Sequence, residues 1–265
     1  VRENIAKLKK RGVGFVGPAS GELACGTEGA GRLVEPEDIV DAVKERLSAD
    51  DLKGEKVLVT AGSTREAFDP IRFLSNASSG LMGYALARAA RRRGAEVILV
   101  SGPSNLPRPG QVSFVGVEDA NEMREEVLCH FPQSTIVIMA AAVSDFRPAL
   151  RHSKKMKKGA DKLTIDFEQT SDILKELGEM NKDGRAGDKF LVGFSLETED
   201  LKKNATGKLQ NKNLDMVVAN GPVGLGSQTN EVMVIDSTGT ALELPPMAKE
   251  EVAERILDRV VELKG

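Results

Sequence analysis

The densest chemistry in the sequence lies in residues 60–83, TAGSTREAFDPIRFLSNASSGLMG. This stretch leaves an apolar run, crosses a polar loop and enters a helical pattern at Ser78, Ser79 and Gly80. Two hydroxyls and a glycine at a helix start offer capping groups, open N–H donors and the positive dipole end, which suits an anion. Plain N-capping with a packing glycine accounts for the same residues, because loose glycine patterns are weak signals. Inside the loop stand Arg65, Asp69, Arg72 and Asn76. The arginines could clamp a carboxylate or phosphate, or pair with the aspartate. Asn76 could donate a neutral hydrogen bond to an oxyanion, or simply tolerate a left-handed turn.

A second concentration is MAAAVSDFRPALRHSKKMKK at 139–158. Met139, Ala140 and Ala141 end an apolar run in small residues that let a ligand approach the backbone, and Asp145 follows in a loop. Arg151, Lys154, Lys155, Lys157 and Lys158 then crowd together; such a run is either a solvated face or a set of mobile charges for a polyphosphate. Thr170, Ser171, Asp172, Ile173 and Leu174 read as a helix cap. Lys208 and Lys212 are spaced i,i+4 at a helix end, where the dipole alone favours them. Cys25, between glycines in ACGTEGAGR, is a loop thiol, whereas Cys129 falls in a helical pattern as a small core residue. His130 and His152 have no ligand-like spacing.

Alternating elements must position these groups. Short β-branched runs predict strands at 56–61, 96–100, 111–115, 135–139, 190–194, 215–219 and 231–235. Helical patterns at 80–93, 121–131, 172–180, 201–210 and 248–263 fall between or after them. The last places Val252, Ile256, Val260 and Leu263 on one face. Strand–helix alternation implies βαβ units and a mostly parallel sheet with helices on both faces. The loops at strand C-termini, where the chemistry gathers, are where such sheets bind ligands. Residues 1–50 differ: a helix, one strand at 13–16, a Gly-rich loop at 17–32 and a helix at 36–47, followed by a polar linker at 48–55.

Composition narrows the classes. The 265 residues carry 37 basic and 40 acidic side chains, a net charge of −3, which does not suit bulk nucleic-acid binding. There is no Trp and one Tyr, so a base-stacking surface is not expected. Two cysteines and two histidines leave little for a disulfide framework, a zinc site or a Ser-His-Asp triad, and the cysteine usage suits a reducing cytoplasm. No apolar run approaches the ~20 residues that span a bilayer, so no membrane partner is expected. The first residue is Val1 rather than Met, which suits a fragment or a processed product.

Taken in order, AGSTREAFDPIRFLSNASSGLMG, AAAVSDFRP, KKMKK, GFSLET and KNLDMVVAN resemble phosphopantothenoylcysteine synthetase, the ligase of coenzyme A biosynthesis. The resemblance covers roughly residues 52–265. Residues 17–43, GPASGELACGTEGAGRLVEPEDIVDAV, resemble the end of the flavin-dependent phosphopantothenoylcysteine decarboxylase, which bacteria fuse ahead of the synthetase. The resemblance thus implies a Rossmann-like ligase domain at 51–265. Ahead of it, 1–50 would be the remnant of a flavodoxin-like domain plus linker. It implies that the carboxylate of 4'-phosphopantothenate attacks CTP to give an acyl-cytidylate and pyrophosphate, after which L-cysteine displaces CMP. Mg²⁺ is implied with the nucleotide. A homodimer is implied, and FMN is not expected, because one strand and one loop cannot hold a flavin.

Residue roles follow from the same resemblance. Asn76 is the catalytic asparagine, Lys155 contacts the triphosphate, and Cys25 matches the decarboxylase's proton donor. Met139, Ala140, Ala141, Asp145, Ser171, Asp172, Ile173, Leu174, Phe194, Lys208 and Lys212 form the nucleotide site, with Ser78, Ser79 and Gly80 at its anion-binding helix start. Arg72 binds phosphopantothenate, across a dimer interface. Metal ligands are not implied. The sequence departs from the family at Ser63, where Pro is usual, at Leu81, where Lys is usual, and at Leu33, where Met is usual. Rival readings are a nicotinamide-dependent reductase, which lacks its tight Gly-x-Gly-x-x-Gly turn here, a decarboxylase resting on Cys25 alone, and a non-catalytic nucleotide-binding module.

Overall fold

The computed structural model describes residues 1–22, 27–157, 163–184, 187–224 and 226–265. The chain divides into two compact units, Val1–Asp50 and Asp51–Gly265.

The first unit holds α1 (Arg2–Lys10), β1 (Ala19–Glu22), β2 (Glu28–Arg32) and α2 (Pro36–Leu47). The strand expected at 13–16 does not form. Instead β1 and β2 pair antiparallel within the stretch expected to be a loop. Gly12 and Gly17, both at positive φ, bracket residues 13–16, which find no partner strand. The ASGE and EGAGR runs contain no β-branched residue, so they lack the strand signature. Helix α1 buries no residue.

The second unit runs β3 (Lys56–Ala61), β4 (Arg65–Ala67), β5 (Phe73–Ser75), α3 (Leu81–Arg92), β6 (Glu96–Ser101), β7 (Ser113–Gly116), α4 (Ala120–His130), β8 (Ile136–Met139), β9 (Phe146–Pro148), β10 (Phe167–Gln169), α5 (Ile173–Lys182), β11 (Phe190–Leu196), α6 (Leu201–Asn211), β12 (Met216–Asn220), β13 (Thr229–Asp236), β14 (Ala241–Ala248) and α7 (Lys249–Lys264). An 8-stranded sheet has the order β14-β13-β12-β11-β8-β3-β6-β7. It is parallel from β12 to β7, while β13 and β14 close one edge antiparallel. Strand order runs outward in opposite directions from β3 and β8, so the switch point, where open sheets bind ligands, lies between them.

Both faces are covered. Val57, Val59, Ile136 and Ile138 join α3 and α7 in one core; Leu58, Val137 and Met139 join α4, α5 and α6 in the other. The period-2 alternation of an all-apolar strand therefore feeds two cores at once. Gly83 lets α3 close on β3, because a Cβ there would meet the Ala61 Cβ at 2.5 Å and the Thr60 carbonyl oxygen at 2.7 Å.

Several expectations are corrected. The linker at 48–55 is not solvated throughout. Leu52 is 1% exposed, its N–H bonds the Arg93 carbonyl at 2.9 Å, and Asp51 pairs with Arg93 at 2.6 Å. The strand expected at 111–115 begins at Ser113, because Gln111 sits in a turn at φ 56. The loop expected between β3 and α3 contains the β4–β5 hairpin, and the short β9–β10 pair was not anticipated. Pro245 and Pro246 mask β14, an edge strand that tolerates missing N–H donors.

Candidate functional site

Two cavities open at the C-terminal ends of β3, β8, β11 and β12. The larger, of about 510 Å³, is lined by Met139, Ala141 and Val143 after β8. Asp145, the start of α5 with Ser171, Asp172, Ile173 and Leu174, Phe194 from β11, and Lys208 and Lys212 complete it. The smaller, of about 150 Å³, is lined by Ser78, Ser79, Gly80 and the first turn of α3. Ala140, Ala141, Ala142, Phe194, Asn220, Asn230 and Lys249 also line it. Ala141 and Phe194 belong to both walls, so the cavities adjoin there.

The lysines of the larger cleft have partners. Lys212 pairs with Asp172 at 2.8 Å, and Lys208 Nζ donates to the Phe194 carbonyl at 2.5 Å. Asp172 also caps α5 by accepting from the Lys175 N–H at 3.1 Å. Burial opposes its ionisation, but the Lys212 and Lys175 hydrogen bonds outweigh burial and hold its pKa below the ordinary value. Burial first, and the Lys212 charge second, lower the pKa of Lys208. Thr170 fixes the far wall: its hydroxyl donates to the Ser144 carbonyl at 2.6 Å and its N–H to the Asp145 carbonyl at 2.9 Å.

The strip between the cavities is stitched to the loop after β3. Ala141 N–H donates to Thr60 Oγ1 at 3.1 Å, Ala142 N–H to the Gly62 carbonyl at 2.8 Å and Ser144 N–H to Thr64 Oγ1 at 3.0 Å. Asn76 sits on this strip, its amide nitrogen 3.2 Å from the Ala142 carbonyl and 3.3 Å from that of Val143. Ser63 Oγ lies 2.9 Å from the Asn76 carbonyl oxygen and so anchors the loop that carries it.

A separate latch holds the basic segment. Asp69, buried, accepts from Arg72 at 2.6 Å and from the Met156 N–H at 3.1 Å, while Arg72 donates to the Met156 carbonyl at 3.1 Å. The Arg72 guanidinium holds the Asp69 carboxyl well below the usual carboxylate range. Lys155 is exposed next to Met156 and lines neither cavity. The guanidinium of Arg72, expected to meet a substrate, is occupied by Asp69 and Met156.

The residues expected around a nucleotide thus divide between two places. Met139, Ala141, Asp145, Ser171, Asp172, Ile173, Leu174, Phe194, Lys208 and Lys212 share the larger cleft. Ser78, Ser79, Gly80 and Ala140 line the smaller cavity, which shares Ala141 and Phe194 with the larger cleft. Cys25 and Lys158 lie outside the described residues. Thr60, Thr64, Ser144, Asn230 and Lys249 were missed; each is an ordinary core or cap residue in one dimension. No three His, Cys, Asp or Glu side chains gather as a metal cluster among the described residues. No helix among them is long and apolar enough to cross a membrane.

The chain is similar to the coenzyme A biosynthesis bifunctional protein CoaBC of Bacillus subtilis (strain 168), at 45% identity over 271 residues, 99% of this chain and 66% of that protein. It therefore spans just under two thirds of that relative's length. A cysteine/cysteine sulfinic acid decarboxylase of an unknown prokaryotic organism is 42% identical over 99% of this chain and 75% of its own length. The crystal structure of the C-terminal domain of a coenzyme A biosynthesis bifunctional protein CoaBC matches 81% of this chain and 98% of its own, with a TM-score of 0.70 and 42% identity. The DNA/pantothenate metabolism flavoprotein C-terminal domain matches residues 52–263. With most of its length inside that match, the chain belongs to the family of the DNA/pantothenate metabolism flavoprotein C-terminal domain.

Proposed function

We propose that the second unit is a phosphopantothenate–cysteine ligase of coenzyme A biosynthesis that uses CTP. The observation that carries this reading is the pair of cavities meeting at Ala141 and Phe194, with Asn76 bonded to the backbone strip between them. The nucleoside of CTP suits the larger cleft, and its phosphates suit the smaller cavity, where Ser78, Ser79 and Gly80 open α3, while Arg72 serves the phosphorylated acid. Their junction then brings a carboxylate oxygen against the α-phosphate, which is the proximity an in-line attack needs.

In the first step the carboxylate oxygen bonds to the α-phosphorus and the bond to pyrophosphate breaks. In the second, the amine of L-cysteine attacks the acyl carbon, CMP leaves with the bonding pair, and the amine loses a proton. Asn76 is the neutral donor for the charge that develops on the acyl oxygen. Lys208 and Lys212 serve the nucleotide side, and Lys155 on its exposed segment supplies charge to the triphosphate. A Mg²⁺ bound through the triphosphate needs few protein ligands, and Asp145 and Asp172 are the carboxylates lining that cleft. The N-terminal unit is read as the end of a flavodoxin-like decarboxylase domain, and its resemblance to the bacterial fusion favours CTP over ATP.

A homodimer belongs to the same proposal. The β4–β5 and β9–β10 pairs expose Phe73, Leu74, Phe146 and Phe167, beside the Asp69–Arg72 latch. The test is pyrophosphate release with CTP, Mg²⁺ and 4'-phosphopantothenate, with and without L-cysteine, repeated with ATP. Release that rises with cysteine and favours CTP supports the ligase. A preference for ATP overturns the nucleotide, and no release in folded protein overturns the reaction.

A further inference from the structure

Beside the start of α3, the smaller cavity has a cation that comes from another helix. Leu81, in the first turn of α3, is apolar, and Lys249 is the charged side chain among the described residues lining the cavity. Lys249 opens α7 and is 7% exposed. Its ammonium donates to the Gly224 carbonyl at 2.9 Å, which uses one of its three N–H donors. Burial lowers its pKa. A buried ammonium is costly until an anion completes it, and a more highly charged anion completes it better.

A second feature lines the same space. Asn230, on β13, is 6% exposed, and its Oδ1 is the buried side-chain atom among the described residues that lacks a hydrogen-bond partner. Gly224 leaves that oxygen its room: a Cβ at Gly224 would meet it at 2.0 Å. At about 150 Å³ the cavity is too small for a whole nucleotide, but it adjoins the cleft of about 510 Å³ at Ala141 and Phe194. Lys249 and Asn230 thus stand in the compartment next to the one that suits a nucleoside.

We propose that Lys249 holds the β- and γ-phosphates of the nucleoside triphosphate, the group that departs as pyrophosphate, and that Asn230 supports it through a bridging water. In this arrangement the ammonium binds phosphate oxygens directly. A water donates one hydrogen to Asn230 Oδ1 and the other to a phosphate oxygen, which joins two acceptors that cannot bond each other. When the carboxylate oxygen bonds to the α-phosphorus, the electron pair of the broken P–O bond stays with pyrophosphate, and the ammonium offsets that added charge. The inference rests on reading the chain as a ligase that splits a nucleoside triphosphate, and it deepens that reading. Selection of a triphosphate over a monophosphate then comes from α7 and β13 as well as from Ser78, Ser79 and Gly80.

Calorimetric titration of the full chain with inorganic pyrophosphate, CTP and CMP, each with Mg²⁺, tests this. Lys249→Gln keeps a donor for the Gly224 carbonyl and removes the charge. It is expected to weaken pyrophosphate and CTP binding roughly 10- to 100-fold and to leave CMP binding unchanged. Asn230→Asp adds a negative charge beside the phosphates and is expected to weaken the same two ligands more than Asn230→Ala does; equal effects of the two would remove Asn230 from the proposal. Equal losses for CMP and CTP in Lys249→Gln would make Lys249 a structural tie between α7 and the turn at Gly224 and overturn the proposal, as would unchanged pyrophosphate binding. If Lys249→Gln does not fold, Lys249→Arg decides: a retained preference for CTP over CMP supports the proposal, and its loss in a folded variant overturns it. Pyrophosphate binding that depends on Lys249, in protein that releases none from CTP and 4'-phosphopantothenate, would sink the ligase reading and leave this inference standing. Amide formation at the wild-type KM for CTP in Lys249→Gln would do the reverse.

Discussion

The two cavities differ in how their charges are completed. In the larger, Lys212 already meets Asp172 and Lys208 already meets the Phe194 carbonyl. In the smaller, the Lys249 ammonium donates to the Gly224 carbonyl, and the buried Asn230 Oδ1 has no partner among the described residues. A ligand entering the larger cleft exchanges existing partners, so its net gain per contact is modest. A ligand entering the smaller one can donate to an acceptor that has no partner among the described residues, and in a low-dielectric pocket that difference is large. The affinity of a ligand in the larger cleft is therefore spread over many exchanged contacts, while in the small cavity it is concentrated on few.

The comparison is most severely tested at the junction. Asn76→Asp is expected to cut amide formation by about 10²–10³-fold while leaving both KM values near wild type, as measured by cysteine-dependent turnover. A large KM effect would mean that Asn76 belongs to one cavity rather than to the strip between them. Next is Lys208→Met, expected to raise the KM for CTP by roughly an order of magnitude and to leave that for the acid alone. Equal shifts in both would show that Lys208 does not serve the nucleotide alone.

Gly83→Ala addresses the floor of the small cavity. The new methyl would collide with β3, so α3 must move, at a cost of about 1–3 kcal/mol in unfolding free energy, read as a lower urea midpoint. The KM for CTP should rise with it, because the first turn of α3, with Ser78, Ser79 and Gly80 ahead of it, lines that cavity. A variant as stable as wild type would show that α3 is not seated as described.

The smallest effect concerns the latch outside both cavities. Asp69 has a folded pKa lowered below its unfolded value, chiefly by Arg72. Its stabilisation is therefore present above the ordinary carboxylate value and drains away as pH falls below about 4. The stability gap between wild type and Asp69→Asn should accordingly be largest near neutrality and shrink in acid. A gap that grows in acid would contradict the assignment of the ionised Asp69 to Arg72 and Met156.

Much of the second unit was legible because its strands are continuous apolar runs and its helices keep a 3.6-residue period. TIVIM and KVLVTA could serve only a sheet covered on both faces, and β8 and β3 lie at its centre. The larger cleft was legible for a similar reason: its lining comes from a few short, recognisable segments. The smaller cavity was not. Asn230 reads as one residue of a strand and Lys249 as the first residue of a helix, and nothing local couples either to Ser78. The β1–β2 hairpin was missed because glycine and alanine pair by backbone and leave no side-chain pattern.

Sequence alone determined the layered α/β architecture, because hydrophobic periodicity is a local property that burial then enforces. It also determined which loops carry the polar residues, since those follow directly after the apolar runs. Only the tertiary structure decided how those residues divide. The segment after β8 passes from the wall of the smaller cavity at Ala140–Ala142 to that of the larger at Val143–Phe146, and the antiparallel β12–β13–β14 edge brings Asn230 and α7 back to the start of α3. Such placements bring together residues more than a hundred positions apart, as Ser78 and Lys249 on the walls of one cavity, and burial and charge pairing there are settled by the assembled fold.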